Sequence, residues 1–260
     1  MKLIDKIAIV TGAASGIGKS LCERFHEECA AGIVAVDINE QGAIEVAQSV
    51  EGIGFGADVS NEADIIRVVE ETEKHYGRID IFASNAGIGV FDVTHAASAS
   101  NEDWERIWGI NVMAHIYAAR AVLPKMIERG SGYLLNTASA AGLLSQIGAA
   151  PYSVTKHAAV GFAESLAIAH RDQGIHVSVL CPQAVQTAMT AGGDGGVAGW
   201  DGMIKPDAVS DAVIKAMDEE QFLILPHPEV LTYMQRKAAD YDRWLSGMRR
   251  FRDKFKELKS

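Results

Sequence analysis

Apolar residues recur along this chain in short β-branched runs, separated by longer stretches of helical periodicity. Residues 6–12 (KIAIVTG), 32–38 (GIVAVDI), 54–59 (GFGADV), 78–85 (RIDIFASN), 132–139 (GYLLNTAS), 175–182 (IHVSVLCP) and 221–226 (QFLILP) read as strands. The segments after the first six carry helical spacing, as in 18–30 and 62–77. Strands that are apolar at nearly every position, separated by helices, predict a parallel sheet buried on both faces. The expected fold is therefore α/β, a doubly wound parallel sheet in a single domain over residues 1–260.

Two parts stand outside the alternation. Residues 188–205 are rich in glycine and show no regular pattern, which reads equally as a substrate lid that orders on binding or as a disordered surface loop. Residues 227–260 form a polar helical extension after the last strand. No linker composition or internal repeat divides the chain.

Composition narrows the class. With 48% apolar and 22% charged residues in 260, the chain is globular. A net charge of -10 argues against a nucleic-acid surface, and the basic run of the extension (Arg249, Arg250, Arg252, Lys254, Lys256, Lys259) is interrupted by acids. No apolar stretch approaches the roughly 20 residues of a membrane span. The opening MKLIDKIAIVTG enters a strand pattern directly, without a signal-like apolar region. Cys22, Cys29 and Cys181 show neither metal spacing nor an even disulfide framework. A cytoplasmic location without a metal, a membrane or a nucleic-acid partner is expected.

The candidate chemistry begins at TGAASGIG, where the first strand should pass into a helix. Gly12, Gly16 and Gly18, with Ser15 and Ile17 between them, allow a tight turn and a close approach to a pyrophosphate on the helix N-terminus. The G-x-x-x-G-x-G spacing departs from the usual G-x-G-x-x-G, and a glycine-lined packing turn would look similar. Asp37, closing the second strand about twenty residues on, favours the dinucleotide reading. Its carboxylate suits the adenosine-ribose hydroxyls of NAD and would repel the 2′-phosphate of NADP. A basic residue for NADP is missing at Ser15 and at Ile38.

Further candidates sit at strand ends, outside which ligands bind in open α/β sheets. They are Asp58-Val59 after the third strand, Asn85-Ala86-Gly87 after the fourth and Thr137-Ala138-Ser139 at the end of the fifth. Tyr152 and Lys156 open the next helix one turn apart, and Asn111 falls inside the long helical pattern 104–129. Together, TGAASGIG, Asp58-Val59, Asn85-Ala86-Gly87, Asn111, Ser139 and YSVTK resemble the short-chain dehydrogenase/reductase family over roughly residues 5–190.

That resemblance implies a Rossmann fold and an NAD-dependent interconversion of a secondary alcohol and a ketone. It implies Tyr152 as proton donor and acceptor, Ser139 as donor to the reacting oxygen, and Lys156 as the charge that lowers the tyrosine pKa and binds the nicotinamide ribose. Asn111 would interrupt its helix and hold a water linking Lys156 to solvent. A homodimer or homotetramer is expected on the same ground. Enoyl reductases of the wider family place tyrosine six residues before the lysine. That position is Ala150 here, so a carbonyl reaction is favoured over double-bond reduction. A catalytically silent dinucleotide sensor, the rival from another class, would be expected to lose Tyr152 or Lys156. A lyase or epimerase with bound NAD would want a larger substrate domain.

Beyond the sixth strand the family usually has Pro-Gly. This chain has LCPQAVQT, with Pro182, Val185 and Thr187 in place for the nicotinamide carboxamide and Gln183 where the glycine should be. Gln183 either projects an amide into the substrate mouth or accepts a backbone angle that needs no glycine. The substrate walls should come from AAGLLSQIG and the glycine-rich loop: Leu143, Leu144, Ile147, Met189, Trp200 and Met203. None is a charged clamp, so a small apolar alcohol or ketone is the expected partner. Trp104 and Trp108 read as packing residues, and His227 as outside the machinery.

Overall fold

In the computed structural model, which describes residues 1–92 and 94–259, all seven apolar runs join one sheet. Val93 and the extension's last residue, Ser260, lie outside the described residues. The strands are β1 (Ile7–Thr11), β2 (Gly32–Asp37), β3 (Ile53–Gly56), β4 (Ile81–Ser84), β5 (Gly132–Thr137), β6 (Ile175–Leu180) and β7 (Leu223–Ile224). Their order is β3-β2-β1-β4-β5-β6-β7, every pairing parallel. Strand order reverses between β1 and β4, which opens a crevice beyond their carboxyl ends.

Alternation along each strand builds two cores. Ile9, Val34, Val36, Phe82, Leu134 and Val179 face one layer, and Ala8, Val10, Ile33, Ala35, Ile81 and Leu135 face the other. The first layer is covered by α3 (Glu62–Tyr76), α5 (Ala114–Arg129) and α7 (Ala150–His170) through Val68, Ala118, Val122 and Ala163. The second is covered by α1 (Gly16–Glu27), α2 (Glu40–Ser49) and α8 (Pro206–Asp218) through Leu21, Phe25, Val46 and Val213. Burial on both faces is why these strands read as continuous apolar runs rather than as alternating ones.

Local differences from the sequence pattern have physical causes. The third strand stops at Gly56 because Asp58 leaves the ladder, its N–H donating to Asp64 and its Oδ1 accepting from Ser60. The helical pattern 104–129 begins earlier, at α4 (Asn101–Trp108), where the Ser100 hydroxyl accepts from Asp103 N–H. It then passes through a π turn, Gly109–Met113, before α5. Residues 188–205 carry two 3-10 turns, Ala188–Thr190 and Gly196–Gly199, and a bridge between Val185 and Ile204. The extension is two helices, α9 (Glu229–Ala239) and α10 (Tyr241–Lys259), because extended Asp240 ends one and caps the other by accepting from Arg243 N–H. No helix among the described residues is long and apolar enough to cross a membrane.

Candidate active site

The crevice at the strand ends is a cleft of about 800 Å3. Its floor follows from the glycine turn. Gly12 and Gly16 have φ of +68° and +54°, the left-handed region that side chains resist. A Cβ at Gly18 would lie 2.1 Å from the Gly12 carbonyl oxygen, so only glycine lets α1 pack onto the turn. Gly18 therefore supports the turn, whereas Gly12, Ser15, Gly16 and Ile17 line the cleft. Ser15 does not cap α1 with its side chain and no acid stands in the first turn, which leaves the helix N-terminus free for an anionic group. Gly18→Ala is expected to cost about 2 kcal/mol through overpacking. Thermal melts should register a Tm fall of roughly 4–8 °C, with dinucleotide binding lost alongside.

Asp37 lies at the far end of the same cleft. Its Oδ2 accepts from Ala14 N–H at 3.0 Å and its Oδ1 from Asn39 N–H at 2.9 Å, leaving a lone pair on each oxygen for a diol. The neighbouring residue is Ile38, an exposed apolar side chain rather than a basic one. Asp58 and Val59 line the wall beyond it.

Asn85 ties three strands together at the crevice. Its N–H donates to Thr11 Oγ1 (2.9 Å), its Nδ2 to Thr11 O (3.0 Å), and its Oδ1 accepts from Thr137 Oγ1 (3.1 Å). Ala86 N–H also donates to Thr11 Oγ1. The side chain thus fixes the strand ends while Asn85, Ala86 and Gly87 present backbone to the cleft. The strand-end position of Thr137 is expected from sequence; its bond to Asn85 and the part played by Thr11 are not. A hydroxyl at a strand's last position, just before a cleft, is the only signal the two threonines carry.

Asn111 is fully buried and sits in the π turn. Its Oδ1 accepts from Ile88 N–H at 2.9 Å, and its Nδ2 donates to Ile88 O and to Thr155 Oγ1. A widened turn within a helix disrupts the regular ladder there, consistent with the interruption expected at this residue. The amide anchors the strand β4 loop to α7 and so sets where Tyr152 and Lys156 stand.

Ser139, Tyr152 and Lys156 all line the cleft. Lys156 Nζ donates to Thr137 O at 3.0 Å and lies 5.7 Å from the centroid of the Tyr152 ring. Burial pulls the lysine down from 10.5 to about 8, the Cys181 thiol opposing weakly. Burial also pushes the Tyr152 phenol above its ordinary value, while contact with the Ser139 hydroxyl lowers it and Cys181 raises it. This departs from the expected lysine-driven lowering. In the free protein desolvation dominates, and the phenol is held as an acid.

His115, one turn beyond Asn111, was not anticipated. Both ring nitrogens are buried, and burial followed by the nearby Lys156 charge pulls it down to about 3, with the Asn136 side chain opposing. It remains a neutral ring behind the lysine. Its only sequence signal is a histidine on the otherwise apolar face of Ala114, Ala118 and Val122.

The substrate walls require corrections. Ile147 and Met189 line the cleft, but Leu143 and Leu144 do not. The short α6 (Ala141–Leu144) turns them away, into a separate apolar cluster with Val230, Tyr233 and Trp244 of the extension. Trp200 and Met203 also lie outside the lining. Trp200 packs edge-on against Phe251 at 4.9 Å, and Met203 packs under the loop near Gly195. Pro182, Val185 and Thr187 line the cleft, as does Gln183. Gln183 has no positive φ, so its backbone needs no glycine, and its Nε2 donates to Asp201 at 3.0 Å. Ile88, Phe91 and Phe255 complete the apolar wall without having been foreseen. His227 lies behind it, its Nδ1 accepting from Gln183 N–H. Trp108 is 40% exposed on α4, away from the cleft.

Known proteins repeat this arrangement. Residues 6–194 match the family model described as short chain dehydrogenase. The chain is 34% identical over 196 residues to 3beta-hydroxysteroid dehydrogenase 2 of Eggerthella lenta, covering 73% of this chain and 75% of that protein. It is 30% identical over 257 residues to 1-deoxy-11-beta-hydroxypentalenate dehydrogenase of Streptomyces exfoliatus, covering 95% and 92%. A short chain dehydrogenase/reductase from Burkholderia phymatum, solved in complex with NAD, superposes with a TM-score of 0.84 at 26% identity, over 93% of this chain and 96% of that one. With its glycine turn, its strand-end asparagine and its Tyr152–Lys156 helix in one crevice, the chain belongs to the short chain dehydrogenase family.

Proposed function

We propose that this protein is an NAD(H)-dependent dehydrogenase that interconverts a secondary alcohol and a ketone on an apolar small molecule. The observation that carries the reading is the convergence of Ser139, Tyr152 and Lys156 on the cleft that also holds Asp37 and the glycine turn. Bound NAD(H) would supply the hydride acceptor for alcohol oxidation and the hydride donor for ketone reduction. The glycine turn, Ser15 and Ile17, which line the cleft, would cradle the phosphates, and Asp37 would take the adenosine ribose. Pro182, Val185 and Thr187 would orient the nicotinamide end. Ser139 donates to the substrate oxygen, and Tyr152 gives it a proton in reduction or removes one in oxidation. Lys156 holds positive charge beside the phenol and favours its ionised form. The cleft's apolar wall supports an apolar substrate, as do the names of the steroid- and pentalenate-acting relatives. A homo-oligomer is part of the same reading.

The test is a panel of secondary alcohols and ketones followed by NADH absorbance, run in parallel with NADP(H). No turnover of any member would sink the dehydrogenase reading and favour a dinucleotide sensor. Asp37→Ala removes the diol acceptor together with two backbone contacts. It is expected to weaken NADH binding about tenfold or more and to narrow the preference over NADPH. A wild type that already prefers NADPH would overturn the role of Asp37.

A further inference from the structure

The two C-terminal helices lie outside the matched family region, yet α10 reaches the cleft through Phe255. Helix α10 is strongly charged, and its apolar residues, Tyr241, Trp244, Met248, Phe251 and Phe255, recur at three- and four-residue spacing. That stripe has identifiable contacts along its length. Trp244 joins the cluster over α6, where Lys237 Nζ also donates to Leu143 O at 2.6 Å. Phe251 meets the Trp200 ring edge-on, and Lys254 sits 5.3 Å above the same indole. Phe255, 6.4 Å from Phe251, forms part of the cleft wall. A second tie runs through Asp201, which accepts from Gln183 Nε2 with one oxygen and from Tyr233 Oη with the other, both at 3.0 Å. Gln183 lines the cleft, so the extension holds both the segment after β5 and the loop after β6.

We propose that α9 and α10 build the distal wall of the substrate cleft in cis, with Phe255 as the residue that selects bulky apolar substrates. Resting on the dehydrogenase reading above, this narrows the substrate class to fused-ring or similarly extended apolar alcohols and ketones. Ile88, Phe91, Ile147, Met189 and Val197 line the same cleft as Phe255, with Gln146, Thr190 and Asp194 among its polar lining. On this proposal, a single small ring held at Tyr152 by Ser139 leaves Phe255 without contact. A fused-ring ketone would fill the space between them and exclude water from it. Tyr233 and Asp201 act as positioning residues, since they hold the loop and the extension in register without touching the cleft.

The test compares cyclohexanone, 2-decalone and a four-ring ketone with wild type, Phe255→Ala and Tyr233→Phe. Phe255→Ala should lower kcat/KM for the two larger ketones about tenfold or more, mainly through KM, and change cyclohexanone less than about twofold. Tyr233→Phe should act in the same direction with a smaller effect, and NADH affinity should hold in both variants. An equal change across the ladder, or none, overturns the proposal. If wild type reduces no ketone, the reaction has been misread, and the wall is tested through binding alone. Trp200 emission, isolated by subtracting the Trp200→Phe variant, should then respond to 2-decalone in the presence of NADH and lose that response in Phe255→Ala. A response that survives the substitution refutes the wall.

Discussion

Replacing Tyr152 with phenylalanine is expected to lower kcat by about 10³-fold while NADH affinity stays within about twofold of wild type. The substitution keeps the ring that packs 5.7 Å from Lys156 Nζ and removes only the hydroxyl. Burial, the largest influence on that hydroxyl, lifts it above its ordinary value, with Ser139 opposing. The free protein therefore presents Tyr152 protonated near neutrality, ready to act as the acid in ketone reduction. Alcohol oxidation needs the ionised form, so its rate should climb with pH while reduction should decline. Stopped-flow hydride transfer, run in both directions across pH, separates this step from binding. Turnover that survives in Tyr152→Phe, with the same pH dependence, would remove Tyr152 from the chemistry.

Much of this arrangement was legible in the sequence because it depends on local spacing. Seven apolar runs marked seven strands, since burial on both faces leaves each strand apolar throughout. Tyr152 and Lys156 share a helix face by their four-residue spacing alone. Other parts depend on which way a short element turns, and spacing does not encode that. Leu143 and Leu144 read as cleft residues, but α6 points them at Val230 and Trp244. Asp240 breaks the extension into two helices, and that break lets α10 return over Trp200. Phe255 could not be placed at the cleft from sequence, being separated from Tyr152 by several elements of the fold. His115 carried no motif, and its meaning comes from the Lys156 charge beside it.

Lys156→Met should yield a protein that is more stable and nearly inactive, the signature of a charge buried for function. Lys156 is 3% exposed, and burial has pulled its pKa from 10.5 to about 8. Below about pH 8 the lysine is charged in both folded and unfolded chains, so the folded state carries the full cost of desolvation. Between about 8 and 10.5 the unfolded chain keeps a proton that the folded one has released, so stability rises with pH across that window. The fall from 10.5 to about 8 corresponds to about 3 kcal/mol. Methionine fills similar volume without charge, but it orphans the Thr137 carbonyl that accepted from Nζ. That loss returns about 1 kcal/mol of the gain, leaving a net stabilisation of about 1–2 kcal/mol near pH 7. Thermal melts without cofactor should show a Tm about 3–6 °C above wild type at pH 7, with the gap closing toward pH 10. Turnover should fall by at least about 10², because the phenol then ionises without a neighbouring cation. A Lys156→Met protein that melts below wild type at pH 7, or a gap that ignores pH, would show that the lysine stabilises this fold rather than straining it.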